Sequence, residues 1–206
     1  MPALKPQIKL VLEKDKKLKK LISVHEPVHV KKTDDAYLSL LNSIVSQQLS
    51  VKAAATIWGR FLDLFPKKYP EAKLVLKLKD ETMRGAGLSF QKAGYIKNIA
   101  EFSLSNPLDA DSLNKLDDET LLTHLTQIKG VGKWTVQMIM MFSLQRLDVF
   151  PEDDLGIQNA IKNLYGIESE KKQLKQDMQQ IAQKWKPYRT IACMYLWKHK
   201  DNKPIK

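Results

Sequence analysis

Apolar residues along this chain recur at intervals of three and four, a spacing that predicts helices almost throughout. Leu38, Leu41, Ile44 and Val45 share one face of a run from Ala36 to Gln48, opened by Thr33-Asp34-Asp35 as a cap. Ser50 is placed to cap a helix from Val51 to Phe65 that Pro66 stops, and Asp80 starts a short one that ends at Gly85 and Gly87. Ser89 caps Phe90 to Phe102, with Ala93, Ile96, Ile99 and Ala100 on one face. Asp117 or Asp118 begins a helix reaching Gln127. Beyond a glycine-containing turn, Trp134 to Leu144 is apolar nearly all round, the pattern of a buried helix. Three more helices are expected at Asp154–Leu164, Glu170–Trp185 and Tyr188–His199, while the Lys-rich ends, Met1–Lys20 and Asp201–Lys206, read as frayed. No segment alternates with period two for long enough to make a strand, and no internal repeat is visible. The expected fold class is all-α.

Composition narrows this picture. A chain of 206 residues suffices for one large domain or two small lobes sharing a cleft, and 43% hydrophobic residues exclude a wholly disordered chain. Apolar stretches break well short of the ~18 residues a membrane span needs. Met1 to Leu12 is Lys-spaced and lacks an apolar core, so no secretory signal is expected. The single Cys193 forms no internal disulfide and holds no iron–sulfur cluster alone, which points to a reducing, cytoplasmic compartment.

Lys and Arg total 34 against 23 Asp and Glu, a net charge of +11, and an acidic partner such as nucleic acid follows. Only four of the basic residues are Arg: Arg60, Arg84, Arg146 and Arg189. Guanine edges are read mostly by bidentate Arg, whereas Lys meets phosphate as a point charge. The balance favours a grip on a backbone over sequence reading, with a Lys-rich solvated surface as the plainer alternative.

One motif is a decoy. His25-Glu26-Pro27-Val28-His29 matches H-E-x-x-H, but that zinc chemistry needs both imidazoles on one helical face, and Pro27 breaks the helix between them. An extended linker is the better reading.

The informative stretch is Leu125–Thr135, in which a helix ends, Gly130-Val131-Gly132 follows, and Lys133-Trp134-Thr135 opens another helix. Glycines at 130 and 132 permit positive φ and close backbone approach, while the new helix presents amides and the positive end of its dipole to a phosphate. Lys133 adds charge, and Val131 is expected to tuck into the core. A Gly-x-Gly turn alone is a common helix terminator. In a basic chain, between two helices, it reads as a DNA-binding hairpin. A short turn, Asp148-Val149-Phe150-Pro151, then leads to Glu152-Asp153-Asp154.

Taken with Ile44-Val45-Ser46-Gln47-Gln48-Leu49-Ser50, Gly87-Leu88-Ser89-Phe90-Gln91-Lys92-Ala93 and Trp185-Lys186-Pro187-Tyr188-Arg189, these stretches resemble the helix–hairpin–helix DNA glycosylases (HhH-GPD). The likeness is closest to the 3-methyladenine DNA glycosylase II branch and covers residues 35–199. It implies two helical lobes, one of residues 37–147 and the other joining 1–36 to 148–206, with a cleft for DNA and an extruded base. It leaves no room for the additional amino-terminal domain of larger bacterial relatives. It implies double-stranded DNA with damaged bases as the partner, downstream enzymes that process abasic sites, and a monomer.

Family members cleave the N-glycosidic bond of a flipped nucleotide, and their catalytic aspartate matches Asp154. Helix capping is the competing reading for both acids, since Asp is favoured at helix starts; the expectation assigns the cap to Asp153 and leaves Asp154 to face the cleft. Relatives that also cut the strand carry a nucleophilic Lys where this chain has Trp134, so hydrolysis without lyase activity is expected. Trp134, Trp197 and Met138 match positions lining the base pocket, with core packing as the alternative; for Trp58 and Trp185 core packing is preferred. Gln48 or Leu49 matches the plug that fills the gap left by the base. No cofactor is expected beyond a monovalent cation such as relatives hold at hairpin carbonyls, here those of Thr126, Ile128 and Val131.

Three functions are compatible with this reading: an alkylpurine glycosylase, a relative acting on oxidised or deaminated bases, and a non-catalytic DNA-binding module. The missing Lys and the missing cysteines argue against the best-known branches of the second. Asp154, Trp134 and Trp197 argue for the first.

Overall fold

The computed structural model describes residues 4–28 and 35–201. Among them thirteen α-helices, a 3₁₀ turn at Pro66–Lys68 and a π-helical turn at Ile139–Ser143 make up the regular structure; no strand forms, and a lone bridge joins Asp35 to Asp109. The fold is all-α. No helix of the described residues is long and apolar enough to cross a membrane. The chain forms two compact units, Lys32–Leu144 and Met1–Lys31 with Gln145–Lys206.

In the Lys32–Leu144 unit, short polar side chains start the helices. Asp35, Ser50, Ser89, Asp109 and Asp117 each accept a hydrogen bond from an amide three residues on, at Leu38, Ala53, Lys92, Ser112 and Thr120. Thr33 and Asp34 lie outside the described residues, and Asp35 alone is seen to cap Ala36–Ser46. The Phe90–Ser105 helix packs against Ala36–Ser46, Ala72–Lys77 and Asp80–Gly85. Its Ala93, Ile96, Ile99 and Ala100 are wholly buried, as their shared face predicts.

Several boundaries differ from the sequence reading. The Val51 helix ends at Leu62, before Pro66, which instead opens the 3₁₀ turn; Phe65 has already turned inward and is buried. The Phe90 helix continues to Ser105, and the Asn106 side chain closes it by donating to Phe102 O at 3.0 Å. Ala72–Lys77 and Ala110–Asn114 form helices too short for periodicity to announce. The apolar run after the hairpin is α-helical only over Lys133–Met138; it then widens, with Leu144 N donating to Ile139 O at 2.9 Å, five residues back. An all-round apolar sequence sets no preferred face, and the wide turn keeps Ile139, Met140 and Met141 buried together.

The other unit overturns one expectation outright. The amino-terminal segment is not frayed over its described part: Pro6–Leu12 and Lys16–Val24 are helices that bury Ile8, Leu12, Leu18 and Leu21. Their lysines surround an apolar stripe and mask it in the composition. Between them sits Asp15, 6% exposed, which accepts from Lys17 N, Leu18 N, Tyr165 OH and Trp185 Nε1 at 3.0, 3.2, 2.6 and 3.1 Å. Burial pushes its carboxyl up, but the hydrogen bonds to Tyr165, Trp185 and the two amides outweigh it and hold the pKa below the ordinary value. Leu155–Tyr165, Lys171–Gln183 and Arg189–Asp201 complete the unit around a fully buried Trp185. His25 ends the Lys16–Val24 helix, and Glu26 to Val28 follow without regular structure; His29 lies outside the described residues.

Candidate functional site

The hairpin is built by a tight turn between two helices. Asp118–Thr126 ends at Gln127, and Val131 N then donates to Ile128 O at 2.9 Å. Ile128 and Val131 are both buried, which anchors the turn from beneath. Gly130 has φ +102°, and a Cβ there would lie 2.2 Å from Tyr95 Cγ. Conformation and space therefore both demand glycine. Gly132 caps the next helix, and the first amide inside its ladder is that of Val136, which donates to Gly132 O at 3.1 Å. The amides of Lys133, Trp134 and Thr135 precede it, at the positive end of the dipole. Gly132, Lys133 and Trp134 are exposed; the Thr135 side chain is buried, so what it offers outward is its backbone.

The Gln47–Leu49 turn lies beside this hairpin in the same unit. Gln48 has φ 57°, a left-handed conformation uncommon outside glycine, and both it and Leu49 are exposed. Gln47 Nε2 donates to Gly130 O at 3.4 Å, joining the two loops directly. A depression of about 450 Å³ lies among Gln47, Gln48, Lys92, Tyr95, Gly130 and Trp134. Trp134 is 40% exposed, so part of its indole reaches this surface. Met138 is half-buried one turn further on and does not line the depression. The structure thus brings together the hairpin, the plug and one aromatic candidate.

Asp154 and Trp197 are brought together in the other unit. Asp154 Oδ1 accepts from Ile157 N at 2.8 Å and from Trp197 Nε1 at 2.9 Å. Asp154 is therefore itself the cap of Leu155–Tyr165, and the expectation that Asp153 fills this role is corrected. The reason is register: Asp154 is the half-in residue, three before the Ile157 amide, while exposed Asp153 pairs with Lys175. Capping and a functional role are not exclusive here, because the two donors fix the direction of a half-buried carboxylate. Space is tight: a Cβ on Gly156 would lie 2.9 Å from Asp154 Oδ1 and 3.1 Å from Trp197 Cδ1. Behind the carboxylate, burial pushes the Cys193 thiol pKa up, and the negative field of Asp154 adds to it.

The approach to Asp154 is stitched down by residues to which sequence reasoning gave no role. Arg189 Nε and Nη2 donate to Asp148 Oδ1 and Oδ2 at 2.6 and 3.0 Å, and Nη2 also reaches Asp148 O at 2.8 Å. Thr190 Oγ1 donates to Arg146 O at 2.6 Å and accepts from Val149 N at 3.0 Å. This bidentate pair holds the Asp148–Pro151 turn against the start of Arg189–Asp201. Both partners stand in the quoted motifs, so presence in a motif was the signal; their pairing was not visible. Tyr95, the platform under Gly130, had no signal at all.

Known proteins resemble this chain over most of its length. A family model described as "HhH-GPD superfamily base excision DNA repair protein" matches residues 41–187. The chain belongs to this superfamily. DNA-3-methyladenine glycosylase 1 of Schizosaccharomyces pombe is 36% identical over 185 residues, covering 89% of this chain and 80% of its own. A crystal structure of a DNA-3-methyladenine glycosidase from Bacillus halodurans matches with a TM-score of 0.84 and 36% identity, over 97% of this chain and 91% of that one. The Schizosaccharomyces pombe 3-methyladenine DNA glycosylase in complex with abasic DNA matches with a TM-score of 0.82 and 33% identity, over 95% and 97%. In this HhH-GPD protein the Gly130-Val131-Gly132 turn joins the helices Asp118–Thr126 and Lys133–Met138, and Asp154 caps Leu155–Tyr165.

Proposed function

We propose that this protein is a monofunctional DNA glycosylase of base excision repair that hydrolyses the N-glycosidic bond of alkylated purines such as 3-methyladenine and 7-methylguanine. The observation that carries the reading is Asp154, fixed by the Ile157 amide and the Trp197 indole. Cleavage of that bond builds positive charge on the sugar, and a carboxylate already oriented stabilises it without reorganising. The same group can orient or deprotonate the attacking water. Alkylation at N3 or N7 gives the base a positive charge, so it departs without strong acid assistance, and a partly exposed indole such as Trp134 would attract it by about 0.5–2 kcal/mol.

The hairpin amides and Lys133 hold the strand by its phosphate, in keeping with the Lys-rich, Arg-poor charge of the chain. Gln48 and Leu49 fill the gap left by the base. The carbonyls ending Asp118–Thr126 lie beyond the helix ladder, and a neutral oxygen set from Thr126, Ile128 and Val131 suits a monovalent cation, which would brace the turn against the charge of the backbone. Lys133 sits one residue before Trp134, about 100° around the helix from it, and forms no Schiff base.

Release of bases from methylated DNA by the wild type and by Asp154→Asn tests this reading, with the products identified by chromatography. Loss of 3-methyladenine release with retained affinity for abasic duplex is expected; unchanged release refutes the role of Asp154. Borohydride trapping on abasic DNA is expected to give no adduct, and an adduct lost in Lys133→Ala overturns the monofunctional assignment.

A further inference from the structure

The lysine of Gly87-Leu88-Ser89-Phe90-Gln91-Lys92-Ala93 has no role in the reading above, yet its surroundings are specific. Ser89 caps the Phe90–Ser105 helix by accepting from Lys92 N at 3.2 Å, which sets this residue in the first turn. From there Lys92 Nζ donates to Val45 O and to Gln47 O, both at 2.7 Å. These carbonyls end the Ala36–Ser46 helix, where the chain leaves helical geometry at Gln47 (φ −52°, ψ 129°) and enters the left-handed region at Gln48 (φ 57°). A helix carboxyl end carries partial negative charge and carbonyls without amides to receive, and an ammonium answers both needs. The left-handed Gln48 costs free energy and persists only where its neighbours over-determine it. Two short charge-assisted bonds before Gln48, and the Leu49 N to Ser46 O bond of 3.3 Å after it, supply that constraint. The same helix carries Tyr95 under Gly130, while Gln47 Nε2 reaches Gly130 O, so one element sets both the turn and the hairpin beside it.

We infer that Lys92 is a positioning residue for the plug: its ammonium pins the end of the Ala36–Ser46 helix, so that Gln48 and Leu49 project from the surface in one orientation. The purpose assigned to the plug rests on the glycosylase reading, but the clamp is testable apart from catalysis. A lysine serving only as a fold staple would lower stability and every activity together. A positioning lysine governs plug insertion selectively.

The experiment compares wild type, Lys92→Met and Lys92→Arg on a duplex carrying a tetrahydrofuran abasic site opposite 2-aminopurine. It follows reporter fluorescence, affinity and melting temperature, and in parallel single-turnover release of methylated purines at saturating enzyme. Lys92→Met is expected to bind the duplex through its hairpin, to lose most of the fluorescence change, and to release base roughly 10- to 100-fold more slowly. Lys92→Arg keeps charge and donors and is expected to recover most of the change. Should Lys92→Met not fold, Lys92→Gln, which keeps a shorter donor, carries the same comparison. A full fluorescence change in the Met or Gln variant overturns the inference, as does a loss that follows the melting temperature and is not rescued by Arg. A wild type that shows the fluorescence change, lost in Lys92→Met, but releases no methylated base leaves the clamp supported and the glycosylase reading refuted.

Discussion

The two units solve different problems with different parts of the chain. In Lys32–Leu144 the candidate surface depends on backbone features, a glycine at φ +102°, a glutamine at φ 57°, amides at a helix start and carbonyls held by Lys92, beside the exposed side chains of Gln48, Lys133 and Trp134. In the other unit the proposed chemistry rests on one side chain, Asp154, aimed by an amide and an indole. A phosphate backbone is the same at every nucleotide, so gripping it calls for fixed peptide dipoles and little side-chain identity. Stabilising a sugar cation calls for a formal charge at one place. Gripping and cleaving should therefore be separable by mutation.

The largest separation is expected from Asp154→Asn, which keeps the shape of the cap but removes the charge. Single-turnover base release should fall roughly 10²- to 10³-fold, while gel-shift affinity for abasic duplex stays near wild type. Equal losses in both assays would break the comparison. Next comes Gly130→Ala. The added methyl enters the Tyr95 ring at a backbone angle that L residues avoid, so the expected cost is about 3 kcal/mol, read by chemical denaturation, with DNA affinity lost in step. A variant as stable as wild type would show that the turn can re-form without glycine.

Gly156→Ala is the corresponding test in the unit that holds Asp154. Its Cβ would sit 2.9 Å from Asp154 Oδ1, and the shift forced on the carboxylate should slow release roughly tenfold or more with affinity unchanged. Asp15 sharpens the comparison through stability. Its folded pKa lies below the unfolded value, so its contribution is present above roughly pH 4 and is lost as pH falls through the folded pKa. Asp15→Asn should cost about 2 kcal/mol at neutral pH and flatten the acid limb of melting temperature against pH. The smallest effect is expected from Lys133→Ala, which on the proposed reading removes a single phosphate contact: the slope of log affinity against log salt should drop by about 1, with the rate at saturation unaltered.

Local regularities were legible because they depend on neighbours in sequence. The caps at Ser50 and Ser89 followed from residue type and position, as did the buried face of Phe90–Ser105 and the helix–glycine–helix turn. Those at Asp35 and Asp117 fell within the Thr33-Asp34-Asp35 and Asp117-Asp118 stretches expected to open helices. The amino-terminal helices were misread because lysine dominates their composition. Their apolar stripe, Ile8, Leu12, Leu18 and Leu21, has meaning only against the Tyr165 and Trp185 that complete Asp15. Asp153 and Asp154 were indistinguishable as acids, and a single residue of register decided which one caps and meets Trp197.

By itself, then, the sequence determined the all-α class, the hairpin, and the set of residues from which a backbone grip and an acid could be made. Periodicity, capping and glycine freedom act within a few residues, and they are written in order along the chain. Only tertiary structure decided that Lys92 closes the helix ending at Ser46, that Tyr95 leaves no room at Gly130, and that Arg189 holds Asp148. Those contacts join segments far apart in the chain, and which donor meets which acceptor depends on packing that no local pattern encodes.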